Sequence, residues 1–375
     1  MPYQILHIAD VHLDMAFIGA ESGLGGKRRE QLREAFERSL RLAQERRVDA
    51  VCIAGDLYED GRSGPDRAAY LRRVLGDIAP IRVFLAPGNH DPHTPASIYH
   101  QLASDPARTD NVFIFSRRAF APVKLADGIT LWGFAHVHDV DHDPAIGAFA
   151  CEGAGTHVLL FHGSDRDRMP PGKDAIAPFS AMQIEQTGAA HAMLGHFHGM
   201  LQGPRYAYPG SLEPHTVAQD GRHTASLVSI ADERVATEFI DVNRVRYDDV
   251  EVDVTPFGDS AELTNAVRAR LGEPHDASTT VYSRVRLIGA AQNTLDLDAQ
   301  AIQSDLRDAF PGIVVRDECE AFDYDAIVRE GRTVRSEFVR EMRETIAAAS
   351  EAERPVYENA LRFGMLAFSN RKIPA

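Results

Sequence analysis

Seven side chains before residue 199 could bind metal ions, because each offers an oxygen or an imidazole nitrogen close behind a short apolar run. They are Asp10, His12, Asp56, Asn89, His162, His196 and His198. None is a thiolate, so the set suits manganese, iron or zinc in a catalytic site better than a structural zinc site. An ion that keeps one position free for water uses about three or four protein ligands. Seven donors therefore predict two ions.

Two neighbouring ions need a shared ligand, and Asp56 is the natural bridging carboxylate. Ions held about 3.5–4 Å apart favour in-line displacement at phosphorus, because together they hold the nucleophile and the phosphoryl oxygens. The donor set thus predicts hydrolysis of a phosphate ester.

Five apolar runs precede these donors, and their length and their Gly and Pro boundaries predict buried strands. The runs are residues 3–9, 50–54, 82–86, 157–161 and 191–194. Sites in α/β proteins lie just past the carboxyl ends of the strands. We therefore expect side chains that are distant in sequence to converge at one edge of one sheet.

The donors fall in five motifs that follow one another along the chain. These are Asp10-Val11-His12, Gly55-Asp56, Gly88-Asn89-His90-Asp91, His162-Gly163 and Gly195-His196-Phe197-His198. In this order they resemble the calcineurin-like metallophosphoesterase family. Residues 7–14, residues 54–58 and the last motif resemble its SbcD and YhaO branch, which consists of DNA repair nucleases.

The resemblance implies a role for each site residue. One ion is held by Asp10, His12, Asp56 and His198, and the second by Asp56, Asn89, His162 and His196. His90 belongs to neither set and resembles the histidine that protonates the leaving oxygen or stabilises the transition state. Asp91 either orients His90 or caps its loop. The cofactors implied are two divalent ions, with manganese preferred and iron or zinc as alternatives.

One position departs from the family pattern. Some members carry a histidine after the second motif that helps to engage duplex ends, whereas this chain has Glu59. The resemblance therefore supports phosphodiester hydrolysis more firmly than duplex processing.

The periodicity predicts an α/β fold in three parts. Residues 1–243 alternate strand and helix, with helices near 28–47 and 66–78 and a β-hairpin at 224–230 and 234–240, which predicts a two-sheet β-sandwich metallophosphoesterase core flanked by helices. Residues 244–325 resemble a small α+β capping domain. Its predicted elements are a strand at 245–254, a helix at 258–271, a strand at 280–288, a helix at 295–310 and a strand at 313–319.

The third part, residues 326–375, predicts two helices within 332–369 that break near Pro355. An apolar stripe recurs every fourth residue, at Val334, Phe338, Met342 and Ile346. The stripe either packs on the chain's own core or docks a partner. The resemblance implies an SbcC-like coiled-coil ATPase as that partner, and a homodimer is left open.

Other polar clusters have simpler interpretations. The segment 23–27 resembles a phosphate-binding loop, but Glu21 and Arg28 replace its required Gly and Ser or Thr, so we interpret it as a flexible loop. Near residue 140 there are three histidines and three aspartates, which we interpret as a solvated loop rather than another metal site. They are His136, His138, Asp139, Asp141, His142 and Asp143. His7 and His191 are predicted to be core histidines.

Composition is that of a globular enzyme. The chain has 375 residues, 44% of them hydrophobic, and a formal net charge of −15. Three cysteines without close spacing argue against a disulfide framework, so we expect a cytoplasmic protein. We find no membrane-length apolar run and no signal peptide. The acidic charge predicts weak non-specific binding to DNA, although two bound ions would make the site itself cationic.

The predicted function is a two-metal phosphodiesterase that acts on DNA. A hydrolase of small-molecule or nucleotide phosphodiesters would use the same ions, but it would not need the capping domain. A binding subunit that uses the fold as a scaffold is the non-enzymatic alternative, and metal content separates it from the other two.

Overall fold

The computed structural model describes most of the chain. The described residues are 2–17, 24–61, 66–105, 107, 109–139, 142–143, 145–169, 175–219, 221–272, 279–289, 295–319, 322, 324–329, 331–350 and 353–368. The chain divides into two compact units, Met1–Val245 and Arg246–Ala375. The three-part division at residues 243 and 325 stays a prediction.

The first unit contains two six-stranded sheets within its described residues. Its strands are β1 (Tyr3–Ile8), β2 (Ala50–Ile53), β3 (Arg82–Leu85), β4 (Val112–Ile114), β5 (Ala121–Ala126), β6 (Ile129–Gly133), β7 (Thr156–His162), β8 (His191–Gly195), β9 (Leu201–Gln202), β10 (Tyr206–Tyr208), β11 (Thr224–Ala231) and β12 (Arg234–Asp241). Its helices are α1 (Leu24–Glu45), α2 (Asp66–Gly76), α3 (Ile98–Ser104) and α4 (Ala181–Gln186), with short 3₁₀ turns at Arg166–Arg168 and Val217–Gln219.

The two sheets have the orders β12-β11-β1-β2-β3-β4 and β5-β6-β7-β8-β10-β9. Strands β1 to β4 run parallel, and so do β6, β7, β8 and β10. The expectation that all five motif strands share one sheet was therefore wrong, because β7 and β8 belong to the second sheet of the predicted sandwich. Each of the five runs is nearly all buried, so its pattern cannot indicate which sheet it joins.

The sheets pack face to face, as the predicted sandwich requires. One core cluster joins side chains of both sheets, including Ile5, Cys52, Phe84, Val158, Leu160 and Met193. The opposite face of the first sheet turns Leu6 and Ile8 toward Phe36 of α1 and Leu71 of α2. Because alternate residues of a strand point to opposite faces, β1 contributes to both clusters. The predicted fold class and the hairpin formed by β11 and β12 are confirmed.

Two interpretations of polar segments need correction. Leu24–Lys27 opens helix α1 and is not a loop, while residues 21 and 23 lie outside the described residues. The helix extends this far N-terminally because its buried face begins early, with Arg28, Leu32 and Phe36. The two glycines at its start cost about 1 kcal/mol each in helix propensity, which tertiary contacts of this face offset.

The histidine-rich loop after β6 is only partly solvated. His136 is fully buried, and its Nε2 donates to the carbonyl of His162 at 2.8 Å, so the solvated interpretation was wrong for this residue. Four of the others are exposed, namely His138, Asp139, His142 and Asp143, and Asp141 lies outside the described residues. His7 and His191 are core histidines, as predicted, and burial lowers their pKa values to about 3 and about 4.

The second unit begins with a small α+β arrangement. Its elements are β13 (Val245–Asp253), α5 (Ser260–Leu271), β14 (Thr280–Ile288), α6 (Ala299–Leu306), β15 (Val314–Asp317), α7 (Tyr324–Arg329), α8 (Val334–Ala348) and α9 (Arg354–Phe368). Strands β13, β14 and β15 form a three-stranded sheet whose core includes Leu263, Val285 and Ile302. Helix α7 was not predicted. No helix among the described residues is long and apolar enough to cross a membrane.

The predicted C-terminal stripe packs largely on the unit's own core. Phe338, Met342 and Ile346 lie partly buried against a cluster that includes Leu361 and Met365 of α9. Val334, in contrast, is 78% exposed. The core-packing interpretation therefore holds for three of the four positions. The break falls between Ala348 and Arg354, and residue 369 lies outside the described residues.

Candidate metal centre

The five motif loops meet at the carboxyl ends of β1, β2, β3, β7 and β8, so the predicted convergence occurs across both sheets. Backbone bonds tie neighbouring loops together, with Asp10 N donating to Gly55 O at 3.2 Å and Gly163 N to Gly195 O at 3.1 Å. The Asp10 side chain connects the loops of the two sheets. The backbone amide of His196 donates to both carboxylate oxygens of Asp10, at 3.0 and 3.1 Å.

Four of the predicted ligands have left-handed backbone conformations. Their φ angles are 52° for Asp10, 50° for His12, 51° for Asp56 and 113° for His196. Non-glycine residues in such conformations cost about 1–3 kcal/mol each and cluster at functional sites. The surrounding sheets must hold these turns in place, and the turns bring donor side chains together.

Two motif glycines permit the close approach of the loops. A Cβ atom on Gly88 would lie 2.3 Å from Asp56 Oδ1, and one on Gly195 would lie 1.9 Å from the carbonyl oxygen of Ala54. Any larger side chain would therefore push the loops apart. The glycines of these motifs serve packing around the site rather than ligation.

Asp56 lies at the centre of the donor cluster. Its Oδ2 is 3.2 Å from His162 Nε2 and 3.7 Å from His12 Nε2, and the side chain is 2% exposed. Donor atoms of Asp10, Asp56 and His162 lie within 4.8 Å of one another. Burial alone would lower the pKa of His162, but the nearby carboxylates of Asp56 and Asp10 raise it to about 9. The centre of the site thus favours positive charge.

Several buried donor atoms have no hydrogen-bond partner, namely His12 Nε2, Asn89 Oδ1 and His162 Nε2. Leaving such an atom unsatisfied costs about 1–3 kcal/mol. The other nitrogens of the two histidines are bonded, because His12 Nδ1 lies 2.7 Å from Glu59 Oε1 and His162 Nδ1 lies 2.9 Å from Ala54 O. Nε2 is therefore the nitrogen of each ring that would give up its proton to bind a cation, as in metal-binding histidines whose other nitrogen is hydrogen-bonded. These residues fit divalent cations.

The last motif completes the set. The ring of His196 is 5.2 Å from that of His162, and the ring of His198 is 5.0 Å from that of His12. Burial and the neighbouring His162 lower the pKa of His196 to about 3, so it is neutral, as a ligand must be. The structure thus brings the predicted aspartate and histidine donors of the two sheets into one cluster.

Glu59 is a functional candidate that the sequence analysis noted only as a departure. Its Oε1 is 2.7 Å from His12 Nδ1, and its Oε2 is 3.2 Å from His90 Nδ1. Burial would raise the pKa of Glu59, but the hydrogen bonds from the two histidines outweigh this effect and lower it to about 2. The same carboxylate therefore orients a predicted ligand and the predicted acid. Its position three residues after Asp56 was the available signal.

Asp91 occupies a different place from the one expected of an orienting carboxylate. It is fully buried and accepts hydrogen bonds from Asp56 N, Leu57 N, Gly88 N and the Tyr99 hydroxyl. These contacts fasten the second and third motif loops to each other. In the described structure Glu59, not Asp91, contacts the His90 ring, so a catalytic role for Asp91 stays a prediction that these bonds do not support.

His215 is a site neighbour that the sequence analysis did not single out. Its ring lies 4.9 Å from the His12 ring and 4.8 Å from the His198 ring. It follows β10, beyond the last of the five motifs, and nothing in its spacing marks it as a donor.

Comparisons with known proteins agree with this geometry. The model of the calcineurin-like phosphoesterase family matches residues 3–200. The DNA double-strand break repair protein Mre11 of Aeropyrum pernix is 31% identical over 290 residues, which cover 72% of this chain and 67% of that protein. Mre11 of Archaeoglobus fulgidus is 26% identical over 277 residues, covering 68% and 60%.

A solved structure, that of the Pseudomonas putida nuclease MPE, aligns with this chain at 16% identity and a TM-score of 0.24, over 62% of this chain and 87% of its own. The family match covers the five motifs and both sheets up to β8, and the Aeropyrum relative extends the similarity beyond them. The chain therefore belongs to the calcineurin-like phosphoesterase family, in its DNA repair nuclease branch, whose members are hydrolases that use two divalent metal ions.

Proposed function

We propose that this protein is a manganese-dependent phosphodiesterase that cleaves DNA during repair in the cytoplasm. The observation that carries the proposal is the pair of buried Nε2 atoms of His12 and His162, which lack hydrogen-bond partners and lie 3.7 and 3.2 Å from Asp56 Oδ2. The buried Oδ1 of Asn89 also lacks a partner. An apolar or purely structural core would not leave two such nitrogens beside the same carboxylate. The names of the relatives supply the substrate class.

The proposed ligand sets are those of the family. One ion takes Asp10, His12, Asp56 and His198, and the other takes Asp56, Asn89, His162 and His196. The position of Asp56 Oδ2 between His12 and His162 supports its bridging role. When bound, the two ions would lower the pKa of a water molecule to near neutral pH. Their positive charge would also stabilise the phosphoryl oxygens.

The chain's own residues position and protonate the substrate. His90 is the exposed histidine of the site, with a side chain 48% exposed, and its ring lies 4.9 Å from that of His12. Its hydrogen bond to Glu59 outweighs burial and raises the pKa of His90 to about 9. With Nδ1 held by Glu59, the Nε2 proton of His90 is free to be donated to the leaving oxygen.

The proposal is tested by a cleavage assay with labelled single- and double-stranded DNA, run beside bis-p-nitrophenyl phosphate. We expect manganese-dependent cleavage of DNA that a chelator abolishes. Turnover of bis-p-nitrophenyl phosphate without cleavage of either DNA would favour a hydrolase of small phosphodiesters. A purified chain that binds no divalent ion would favour the scaffold alternative.

The proposed partner is an SbcC-like coiled-coil ATPase, as the resemblance implies. The apolar stripe of α8 is mostly occupied by α9, so the docking surface is placed instead on exposed apolar side chains. On α9, Val356 is 66% exposed and Phe363 is 37% exposed. They are seven residues apart and thus lie on the same face of the helix. Such a face suits recognition of a helix from a partner.

We expect the double variant Val356→Lys and Phe363→Lys to lose most of its association with the ATPase, because two charges would have to be buried at the contact. Co-purification and light scattering measure the complex, and light scattering of the free chain also tests for a homodimer. The control is Ala348→Lys, which is also at an exposed position, at the end of α8. Full association of the double variant would rule out docking through this face.

A further inference from the structure

His215 combines burial with an unsatisfied nitrogen. The residue is 4% exposed, and its Nε2 is buried without a hydrogen-bond partner. Donor atoms of His12, His198 and His215 all lie within 4.8 Å of one another. His7 and His191 also bury an unpartnered Nε2, but in the described part of the chain neither belongs to such a group of donors. The coincidence of both features distinguishes His215 from these core histidines.

The hydrogen bonds of Gln219 determine which nitrogen of His215 carries a proton. Gln219 Oε1 accepts the backbone N–H of His215 at 2.9 Å, which fixes the orientation of the amide. Its Nε2 therefore donates to His198 Nδ1, at 2.8 Å. His215 Nδ1 lies 3.3 Å from the same atom. Since His198 Nδ1 is an acceptor, the proton between the two rings belongs to His215 Nδ1.

It follows that His215 carries its lone pair on Nε2, the atom that lacks a partner. His12 is in the same state, because its Nδ1 proton is held by Glu59. His198, with an accepting Nδ1, carries its proton on Nε2 in this arrangement, so its lone pair is on Nδ1 and it would bind its proposed ion through that nitrogen. On this side of the site, His12 and His215 are therefore the imidazoles that offer a lone pair from Nε2.

The loop that carries His215 is held rigidly by buried charges. Arg28 Nη2 donates to the carbonyl of Pro214 at 2.6 Å. Glu213 is fully buried, pairs with Arg38 Nη2 at 2.7 Å and accepts the backbone N–H of Arg244 at 3.0 Å. Such buried charges are stable only when they are paired. The anchors fix the loop beside the site and pre-organise His215, as metal ligands require.

We propose that His215 is an additional metal ligand, which binds the ion of Asp10 and His12 through Nε2. This inference rests on the proposed metal centre. It extends the donor set beyond the five motifs and adds a neutral ligand. The alternative is that His215 only positions His198 through its Nδ1 proton, without touching the ion.

Metal content tests the proposal without an activity assay. Wild type and the variants His215→Ala and His215→Gln are dialysed against fixed free manganese, and bound metal is measured by mass spectrometry. Loss of an outer-shell partner typically weakens metal binding about 10–100-fold, so we expect loss of a ligand to weaken one ion at least about 100-fold. The other ion should stay bound. The control is His191→Gln, another buried histidine, which should keep both ions while thermal melts report folding.

A crystal of the wild-type protein soaked in zinc gives the decisive geometry and needs no variant. We expect an anomalous peak about 2.0–2.1 Å from His215 Nε2, which is the length of a zinc–imidazole bond. A peak bound by Asp10 and His12 but beyond bonding distance of His215, or unchanged ion content in both variants, would overturn the inference alone. Absence of any bound ion in wild type would overturn the proposed function as well.

Discussion

The Asp56→Asn substitution is expected to remove both metal ions and to abolish turnover. Asp56 is almost fully buried and lies between His12 and His162, which is why we propose it as the carboxylate that the two ions share. The amide keeps an oxygen but loses the negative charge that offsets two divalent cations. We expect the rate of phosphodiester cleavage to fall at least about 10³-fold.

Equilibrium dialysis and the cleavage assay, both at fixed free manganese, measure this effect. His12→Ala should chiefly weaken one ion, which separates a bridging ligand from a ligand of a single ion. Asp14→Asn is the charge-matched control at the same edge of the sheet, because Asp14 pairs with Arg33 and Arg67 at 2.8 and 2.6 Å. An Asp56→Asn protein with full metal content and wild-type activity would show that the bridging assignment is wrong.

The sequence allowed the convergence of the motifs to be predicted, because each donor follows a buried strand and sites in α/β proteins lie just past the carboxyl ends of the strands. It did not reveal how the five motif strands are divided between the two sheets of the predicted sandwich. The runs that form β1 and β7 are both buried along most of their length, and their partners are set by packing between the sheets. Cys52 of the first sheet and Met193 of the second pack in one core cluster, although they are far apart in the sequence.

The two polar neighbours of the site were beyond prediction for different reasons. Glu59 is close in sequence to Asp56, but its role depends on the distance between His12 and His90, which come from separate loops. His215 depends on a loop fixed by Arg28, which is 186 positions from its acceptor Pro214. Such long-range contacts leave no periodic pattern in the sequence. Asp91 lies within a motif, but the motif did not indicate that its carboxylate accepts hydrogen bonds from backbone amides of another loop.

The second large effect is expected for His90→Gln, which should slow cleavage of DNA while both ions stay bound. Glutamine has a similar reach and polarity, but it cannot supply the imidazolium proton. Because His90 Nδ1 is held by Glu59, only its Nε2 is free to act as an acid. A positioned acid contributes about 10²–10⁴-fold, and we expect a loss in this range. Single-turnover cleavage of labelled DNA with saturating manganese measures it.

The leaving group separates acid catalysis from charge stabilisation. p-Nitrophenolate needs little protonation, so bis-p-nitrophenyl phosphate should lose less rate than DNA does in the His90→Gln variant. Glu59→Gln is the matched comparison, because it disturbs His90 and His12 together and should therefore weaken metal binding as well. Loss of an ion from His90→Gln would make His90 a ligand. Equal slowing of both substrates with intact metal content would mean that His90 stabilises charge at phosphorus and does not protonate the leaving oxygen.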